Sequence, residues 1–234
     1  MPIIRTETLL LYFAHVPKCG GTGIEGLLTQ RFGQRARGFL DPGHFAQPPE
    51  ARWGRNSPQH VDAATMARLF PSDFFDASFA MVRHPVLRLR SVYLYHRDVE
   101  GAIAPDESFG AWLDALPTRR HADPFHLDNH ARPICEMVPE GARVFRLEKG
   151  VGALVGWLDE ITGTTGRQRD VTRRHSLAER LGALGKAPRG PEVIVTPDHV
   201  AQVAALDPQD FDRFGYPEDP ADMAQGLAPL PAMT

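Results

Sequence analysis

The chain has 234 residues, 42% of them hydrophobic, and its 26 basic and 29 acidic side chains give a formal net charge of −3. This near-neutral balance offers no general attraction to nucleic acid or to an anionic membrane, so we expect neither as a partner. The length suffices to bury the core of one α/β domain. We predict a single domain over residues 1–218 and a loosely ordered tail over 219–234, which is rich in Ala, Pro and Asp.

Cysteine usage and the N-terminal sequence bear on the compartment. The two cysteines, Cys19 and Cys135, are too few for a disulfide framework. The apolar run near the N-terminus is too short to span a bilayer, and it lacks the charged region that begins a secretory signal. We therefore expect a cytoplasmic protein without a membrane anchor.

The first predicted elements are a strand and a helix joined by a glycine-rich loop. The apolar run from Leu9 to Ala14 predicts a strand, and apolar residues at helical spacing from Ile24 to Phe32 predict a helix. The loop between them consists of Pro17, Lys18, Cys19, Gly20, Gly21, Thr22 and Gly23. Such a loop presents backbone N–H groups and a helix N-terminus to an anion, and Lys18 adds a positive charge. The leading ligand is therefore the phosphate or sulfate group of a nucleotide or a similar donor.

The order of residues in this loop argues against two common nucleotide motifs. The Walker pattern GxxxxGK[ST] places its lysine after the glycines, whereas Lys18 precedes them, and the dinucleotide fingerprint GxGxxG is missing. A glycine-rich turn with an incidental lysine is the alternative interpretation. Cys19 is either a reactive thiol beside Lys18 or a small residue whose backbone N–H binds the anion, and we favour the second.

The second strand–helix pair carries an arginine at its junction. The segment Ser78 to Val82 predicts a short buried strand, and Pro85 suits the first position of the helix that follows. Arg83 therefore lies at the end of the strand. Ser91 lies six residues beyond Pro85, which is about 9 Å along the helix at ~1.5 Å per residue. A guanidinium and a hydroxyl so placed can bind one phosphate from two sides. A surface helix with solvated arginines is the alternative.

Strands and helices continue to alternate along the rest of the chain. The pattern predicts a helix from Ser108 to Leu116, a strand from Arg143 to Leu147, and helices at Val151–Leu158 and Pro197–Leu206. This alternation predicts a three-layer α/β/α sandwich with a central parallel sheet, of the nucleotide-kinase-like type. In such a fold the ligand binds at the carboxyl ends of the strands, where both anion motifs are expected.

The segment from Thr118 to His130 alternates histidines with acidic residues, as a zinc or iron site does. Its spacing matches no closed metal site, so we favour a loop that contacts substrate or solvent. Its arginines, Arg119, Arg120 and Arg132, are candidates to meet an anionic acceptor.

Two motifs resemble those of sulfotransferases. VPKCGGTG is similar to the 5′-phosphosulfate loop, which usually reads IPKTGGTS in the carbohydrate-modifying branch, and RHPVLRLRSVY is similar to the 3′-phosphate motif RxPxxRxxSxY. Weaker likenesses in SPQHVDAATMARLF, DNHARPICEM, RVFRLE and DPQDFDRFGYP extend the resemblance over roughly residues 9–217, toward bacterial relatives of the heparan-sulfate 2-O-sulfotransferases. The chain departs from the usual pattern at Cys19 (usually Thr), Gly23 (often Ser) and Ile134 (usually Gln).

The resemblance implies a donor, a product and a reaction. The donor is 3′-phosphoadenosine-5′-phosphosulfate (PAPS), the product is adenosine 3′,5′-bisphosphate, and no metal ion is implied. The sulfuryl group passes in line to an acceptor hydroxyl or amine, which the resemblance alone places on a saccharide. A lipid-linked sugar, a small metabolite or a tyrosine are open alternatives as acceptor.

The resemblance also assigns roles to single residues. Lys18 neutralises the leaving phosphate, and Thr22 and the loop N–H groups hold its oxygens, while Arg83 and Ser91 bind the 3′-phosphate. Arg173 and Arg174 form a basic cluster in a segment that the resemblance places as a loop over the adenosine, where a basic residue could reach the 3′-phosphate. The basic face of an exposed helix is an equal alternative for this cluster.

Four histidines are candidates for a catalytic, binding or structural role beside these motifs. His60 is the first choice of base because it precedes the predicted helix from Asp62 to Phe70, and His44 is the second. We interpret His15 as structural and His84 as a possible donor to the nucleotide.

Two other classes of function remain. A nucleotide kinase on the same fold would carry a Walker lysine and an acidic magnesium ligand at a strand end, where this chain has Arg83. A non-catalytic module that binds the bisphosphate or a sulfated glycan is less compatible with the presence of both Lys18 and a candidate base.

Overall fold

A computed structural model describes residues 3–41, 43–164 and 177–230. The chain divides into two compact units, one formed by residues 1–82 and 136–174 with 233–234, and the other by residues 83–135 and 175–232. The prediction of one domain over residues 1–218 stays a prediction. In the described part of the predicted tail, Pro220–Gln225 forms a 3-10 helix.

The described residues form five strands and nine α-helices. The strands are β1 (Ile3–Arg5), β2 (Leu10–Ala14), β3 (Arg37–Gly38), β4 (Ala77–Val82) and β5 (Arg143–Arg146). The helices are α1 (Gly21–Phe32), α2 (Ala63–Leu69), α3 (Pro85–Tyr95), α4 (Phe109–Ala122), α5 (Ile134–Met137), α6 (Gly152–Thr162), α7 (Leu177–Ala183), α8 (Pro197–Leu206) and α9 (Pro208–Phe214). A π-helical turn, His96–Glu100, continues α3. Across the three described ranges, no helix is both long enough and apolar enough to cross a membrane.

The first unit is built on a mixed sheet with the strand order β3-β1-β2-β4-β5. The three strands β2, β4 and β5 are parallel, as predicted, but β1 pairs antiparallel with both β2 and β3. The expectation of a wholly parallel sheet is therefore corrected. The antiparallel pairing of β1 with β2 follows from the short turn between them, which is closed by a 2.8 Å hydrogen bond from the Thr6 amide to the Leu9 carbonyl. A turn of this length joins antiparallel strands, whereas parallel neighbours need a crossover of a dozen or more residues.

One face of this sheet is covered by α1 and α6. Alternate residues of the parallel strands, among them Phe13, Phe79 and Phe145, join the buried faces of the two helices in one apolar cluster. The helical face predicted from the sequence is confirmed, because Ile24 and Leu28 are at most 1% exposed. This packing holds α1 against the sheet and so places its N-terminus at the carboxyl end of β2.

The second unit is helical, with contacts among α3, α4, α8 and α9. It begins with α3, whose first residue is Pro85, as predicted, and whose N-cap is His84. Ser108 caps α4 by accepting a hydrogen bond from the Ala111 amide, also as predicted. The predicted helix from Pro197 to Leu206 is confirmed as α8.

A buried carboxylate joins two parts of this second unit. Asp210 is fully buried, and its two oxygens accept 2.7 Å hydrogen bonds from the Ile134 and Cys135 amides at the start of α5. Burial raises the pKa of Asp210, and the nearby Arg88 guanidinium and the two amides oppose that rise. The carboxylate thus satisfies two amides that would otherwise lack a partner.

We expect Asp210→Ala to lower the free energy of unfolding by about 2–4 kcal/mol, because two buried amides lose their acceptor. Urea denaturation monitored by circular dichroism measures the change as a shift in midpoint. The matched control is Asp212→Ala, since Asp212 is exposed on the same helix and should change stability by less than about 0.5 kcal/mol. Equal effects of the two substitutions would contradict this assignment.

Candidate anion-binding site

The glycine-rich loop lies where the sequence predicts it, between β2 and α1 in the first unit. Ala14 ends β2, which pairs in parallel with β4 through the register Ala14↔Ala80. The loop therefore lies at the carboxyl edge of the parallel strands, and α1 begins at Gly21 with Gly20 as its N-cap. At such an edge, loops and helix N-termini are available to bind a ligand.

Two residues of the loop have a left-handed backbone conformation. Lys18 has φ 65° and Gly20 has φ 82°. A left-handed conformation is routine for glycine but uncommon for lysine, and such residues concentrate at functional sites. The first amides of an α-helix generally lack an intrahelical acceptor and carry the positive end of the helix dipole. In α1 the Gly23 amide donates to the Gly20 carbonyl at 3.0 Å, so the amides before Gly23 are the ones that the loop offers to a ligand. The loop thus combines a cationic side chain with oriented N–H groups, which is the chemistry that an oxyanion requires.

Thr22 and Cys19 differ in exposure. Thr22 is exposed in the first turn of α1, where its hydroxyl is accessible to a ligand. Cys19 is only 1% exposed. This burial favours the interpretation of Cys19 as a small residue with a functional backbone N–H, because a reactive thiol must be accessible. Pro17 is also buried and ends the extended segment.

His15 packs directly against the first residue of α1. A Cβ atom built on Gly21 would lie 1.8 Å from His15 Nε2 and 2.2 Å from His15 Cδ2, so position 21 has room for glycine alone. The ring also stacks on Phe13, with 5.4 Å between ring centroids. The sequence favours a structural role for His15, just before the glycine-rich loop, and the structure adds its direct contact with the loop residue Gly21.

A chain of polar contacts holds the His15 ring. His15 Nδ1 lies 2.8 Å from Glu25 Oε1, and Arg37 donates from Nη2 to Glu25 Oε2 at 2.7 Å. Burial lowers the pKa of His15, the hydrogen bond to Glu25 opposes this, and the neighbouring His60 lowers it further. Burial alone would raise the pKa of Glu25, but the hydrogen bond from His15 and the charges of His15 and Arg37 outweigh burial and lower it. An ionised Glu25 therefore accepts from His15 Nδ1–H.

His60, the first choice of base, lies in the same unit next to His15. The two rings meet edge to face with 5.1 Å between their centroids. His60 ends the 3-10 turn Pro58–His60, just before α2, and its Nδ1 lies 3.3 Å from the Ser57 hydroxyl. The structure thus brings His60 close to His15, whose ring contacts the glycine-rich loop at Gly21.

His44, the second choice, is in a different environment. It lies in the 3-10 turn His44–Ala46, its side chain is 1% exposed, and Asp41 Oδ2 is 3.7 Å from its Nδ1. A base must reach a substrate proton directly or through one water, and burial of this ring works against that. Between the two candidates, exposure favours His60, which is partly exposed.

The second predicted motif lies in the second unit. Arg83 is the residue that follows β4 in the chain, and Ser91 lies on the continuous helix α3, so the predicted strand–helix context is confirmed. Both side chains are partly exposed. His84 is fully buried, accepts at Nδ1 from the Val86 amide and bonds through Nε2 to the Pro217 carbonyl at 2.9 Å. Its expected role as a donor to the nucleotide is therefore wrong, because both ring nitrogens are engaged within the protein.

The arginines expected to meet an anionic acceptor are engaged elsewhere in the second unit. Arg120 makes a two-point ion pair with Asp207, at 2.6 and 2.8 Å. Arg119 donates to Glu107 at 2.6 Å, and Arg132 donates to Asn129 and to the Pro124 carbonyl. These contacts give the three side chains structural roles.

One backbone feature of this segment was missed. Leu127, Asp128 and Asn129 are three successive residues with φ between 54° and 61°, a strained run for residues with side chains. No local sequence signal indicates it. Arg173, expected over the adenosine, lies outside the described residues.

No protein-family model, no curated protein and no solved structure matches the chain.

Proposed function

We propose that this protein is a sulfotransferase of the three-layer nucleotide-kinase-like fold, which moves a sulfuryl group from PAPS to an acceptor hydroxyl on a saccharide. The observation that carries the proposal is the loop from Pro17 to Gly23, with Lys18 and the N-terminus of α1 at the carboxyl end of a parallel strand. The resemblance of this loop and of the Arg83–Ser91 segment to sulfotransferase motifs supports the donor in particular.

The chemistry asks mainly for positioning and charge stabilisation. The acceptor oxygen forms a bond to sulfur while the bond from sulfur to the bridging oxygen of the phosphosulfate breaks. Negative charge then builds on the leaving 5′-phosphate, where Lys18 and the loop N–H groups are proposed to stabilise it. The acceptor proton passes to His60, which acts as the general base.

We assign the 3′-phosphate to Arg83 and Ser91 on the strength of their sequence spacing. A guanidinium gives two parallel charge-assisted hydrogen bonds to a phosphate, and a serine hydroxyl gives one more. This pair would distinguish adenosine 3′,5′-bisphosphate from adenosine 5′-monophosphate.

Calorimetric titration with nucleotides tests the proposal. We expect adenosine 3′,5′-bisphosphate to bind in the presence of EDTA and more tightly than adenosine 5′-monophosphate. Arg83→Ala should weaken bisphosphate binding about 10- to 100-fold, as expected for a lost charge-assisted hydrogen bond. The matched control is Arg143→Ala, because Arg143 is exposed at the amino end of the parallel strand β5. Preference for ATP with magnesium would favour a kinase, and absence of binding to every nucleotide would overturn the proposal.

A further inference from the structure

The position of the His15 ring suggests a role beyond packing. Its Nε2 occupies the space in which a side chain at Gly21 would lie, at the first residue of α1. The proposed anion binds to the amides of this same helix turn. The contact at Gly21 thus brings a ring nitrogen whose protonation can change near neutral pH to the same helix turn.

Hydrogen bonds hold the Nδ1 side of the His15 ring in place. His15 Nδ1 bonds to Glu25, Glu25 bonds to Arg37, and Arg37 Nη1 donates to Thr29 Oγ1 at 2.6 Å. Because Glu25 holds the proton on Nδ1, Nε2 is the atom that gains a proton when the ring becomes cationic. A histidine held in this way keeps its orientation in both protonation states.

The charges around the ring oppose one another. Glu25 of α1 favours the cation, whereas burial and His60 from the turn Pro58–His60 disfavour it. Arg37 of β3 acts on the ring through Glu25. Without a ligand the balance lowers the pKa of His15, which keeps the ring neutral near pH 7. An oxyanion beside Nε2 adds negative charge and shifts the balance toward the cation.

We propose that His15 is a further anion-binding residue of this loop, which takes up one proton from solvent when a phosphate or sulfate group binds and then faces that group as an imidazolium anchored to Glu25. The inference rests on the proposed function, since it uses the same loop. It predicts that binding of the anion is coupled to proton uptake and weakens as the pH rises.

Calorimetric titration in buffers of different ionisation enthalpy measures the coupled protons. At pH 7, wild type should take up as much as one proton more than His15→Asn on binding adenosine 3′,5′-bisphosphate. Protons gained or lost by the ligand itself cancel when the two proteins are compared. Between pH 6.5 and 8 the wild-type affinity should fall several-fold more than that of His15→Asn. The control is His121→Asn, because His121 is exposed in the second unit, and its proton uptake should match that of wild type.

A measurement on wild type guards against a variant that fails to fold. With ¹⁵N-labelled histidine, the His15 ring nitrogens should change from a neutral Nδ1–H form to an imidazolium when the bisphosphate is added at pH 7. Binding with an unchanged neutral ring, or with equal proton uptake in wild type and His15→Asn, would overturn the inference and leave the proposed function intact. Absence of bisphosphate binding to wild type would overturn both.

Discussion

A Lys18→Ala variant is expected to bind adenosine 3′,5′-bisphosphate about 10- to 100-fold more weakly than wild type, because it would lose the proposed charge-assisted contact to the 5′-phosphate. In the proposed reaction, the rate of sulfuryl transfer should fall further, about 10²- to 10³-fold, because Lys18 is proposed to stabilise the charge that develops on the leaving group. Calorimetry gives the affinity, and release of the bisphosphate from PAPS gives the rate.

The chain offers a sharp control for this experiment. It has three lysines, and only Lys18 lies in the loop. Lys186 donates to the Val99 carbonyl at 2.8 Å and so has a structural role, whereas Lys149 is exposed. Lys149→Ala should therefore bind and turn over as wild type does. A Lys18→Ala variant with wild-type affinity and rate would contradict the assignment of the anion to this loop.

The second large effect concerns Gly21. We expect Gly21→Ala to lower the free energy of unfolding by about 1–3 kcal/mol, because the new methyl group would overlap the His15 ring and the surrounding contacts would have to shift. Urea denaturation measures the change. Gly26→Ala is the matched control in the same helix, since a Cβ at Gly26 meets nothing within 4 Å. That control should be neutral or stabilise by as much as ~1 kcal/mol through helix propensity.

A double-mutant cycle separates the clash from a general loss of helix stability. If the overlap with the His15 ring is the cause, Gly21→Ala should cost far less in a His15→Ala background than in wild type. An additive result for the two substitutions would mean that His15 is not what excludes a side chain at position 21.

Local sequence signals predicted the elements that carry the site. The apolar run before Pro17 and the helical spacing after Gly23 suffice for β2 and α1, and Pro85 marks the start of α3. Each of these signals acts over a few residues, which is the range at which hydrophobic periodicity and capping operate.

Features that depend on contacts between distant residues could not be predicted in this way. The strands β1 and β3 have three and two residues, too few for a period to be recognised, so the mixed character of the sheet was missed. The contacts from Glu25 to His15 and to Arg37 join residues 10 and 12 positions apart in the chain, and no motif marks them. The sequence signal for a role of His15 in the site is its position three residues before Lys18.

The proposed function depends above all on the binding of the donor's anionic group by the loop from Pro17 to Gly23. The most direct test is a titration of ¹⁵N-labelled, deuterated protein with adenosine 3′,5′-bisphosphate in EDTA, followed by amide NMR. We expect the largest shift changes at the amides of Lys18, Cys19, Gly20, Gly21 and Thr22, with saturation at the calorimetric affinity. Saturable binding that leaves these amides unchanged, or no binding at all, would contradict it.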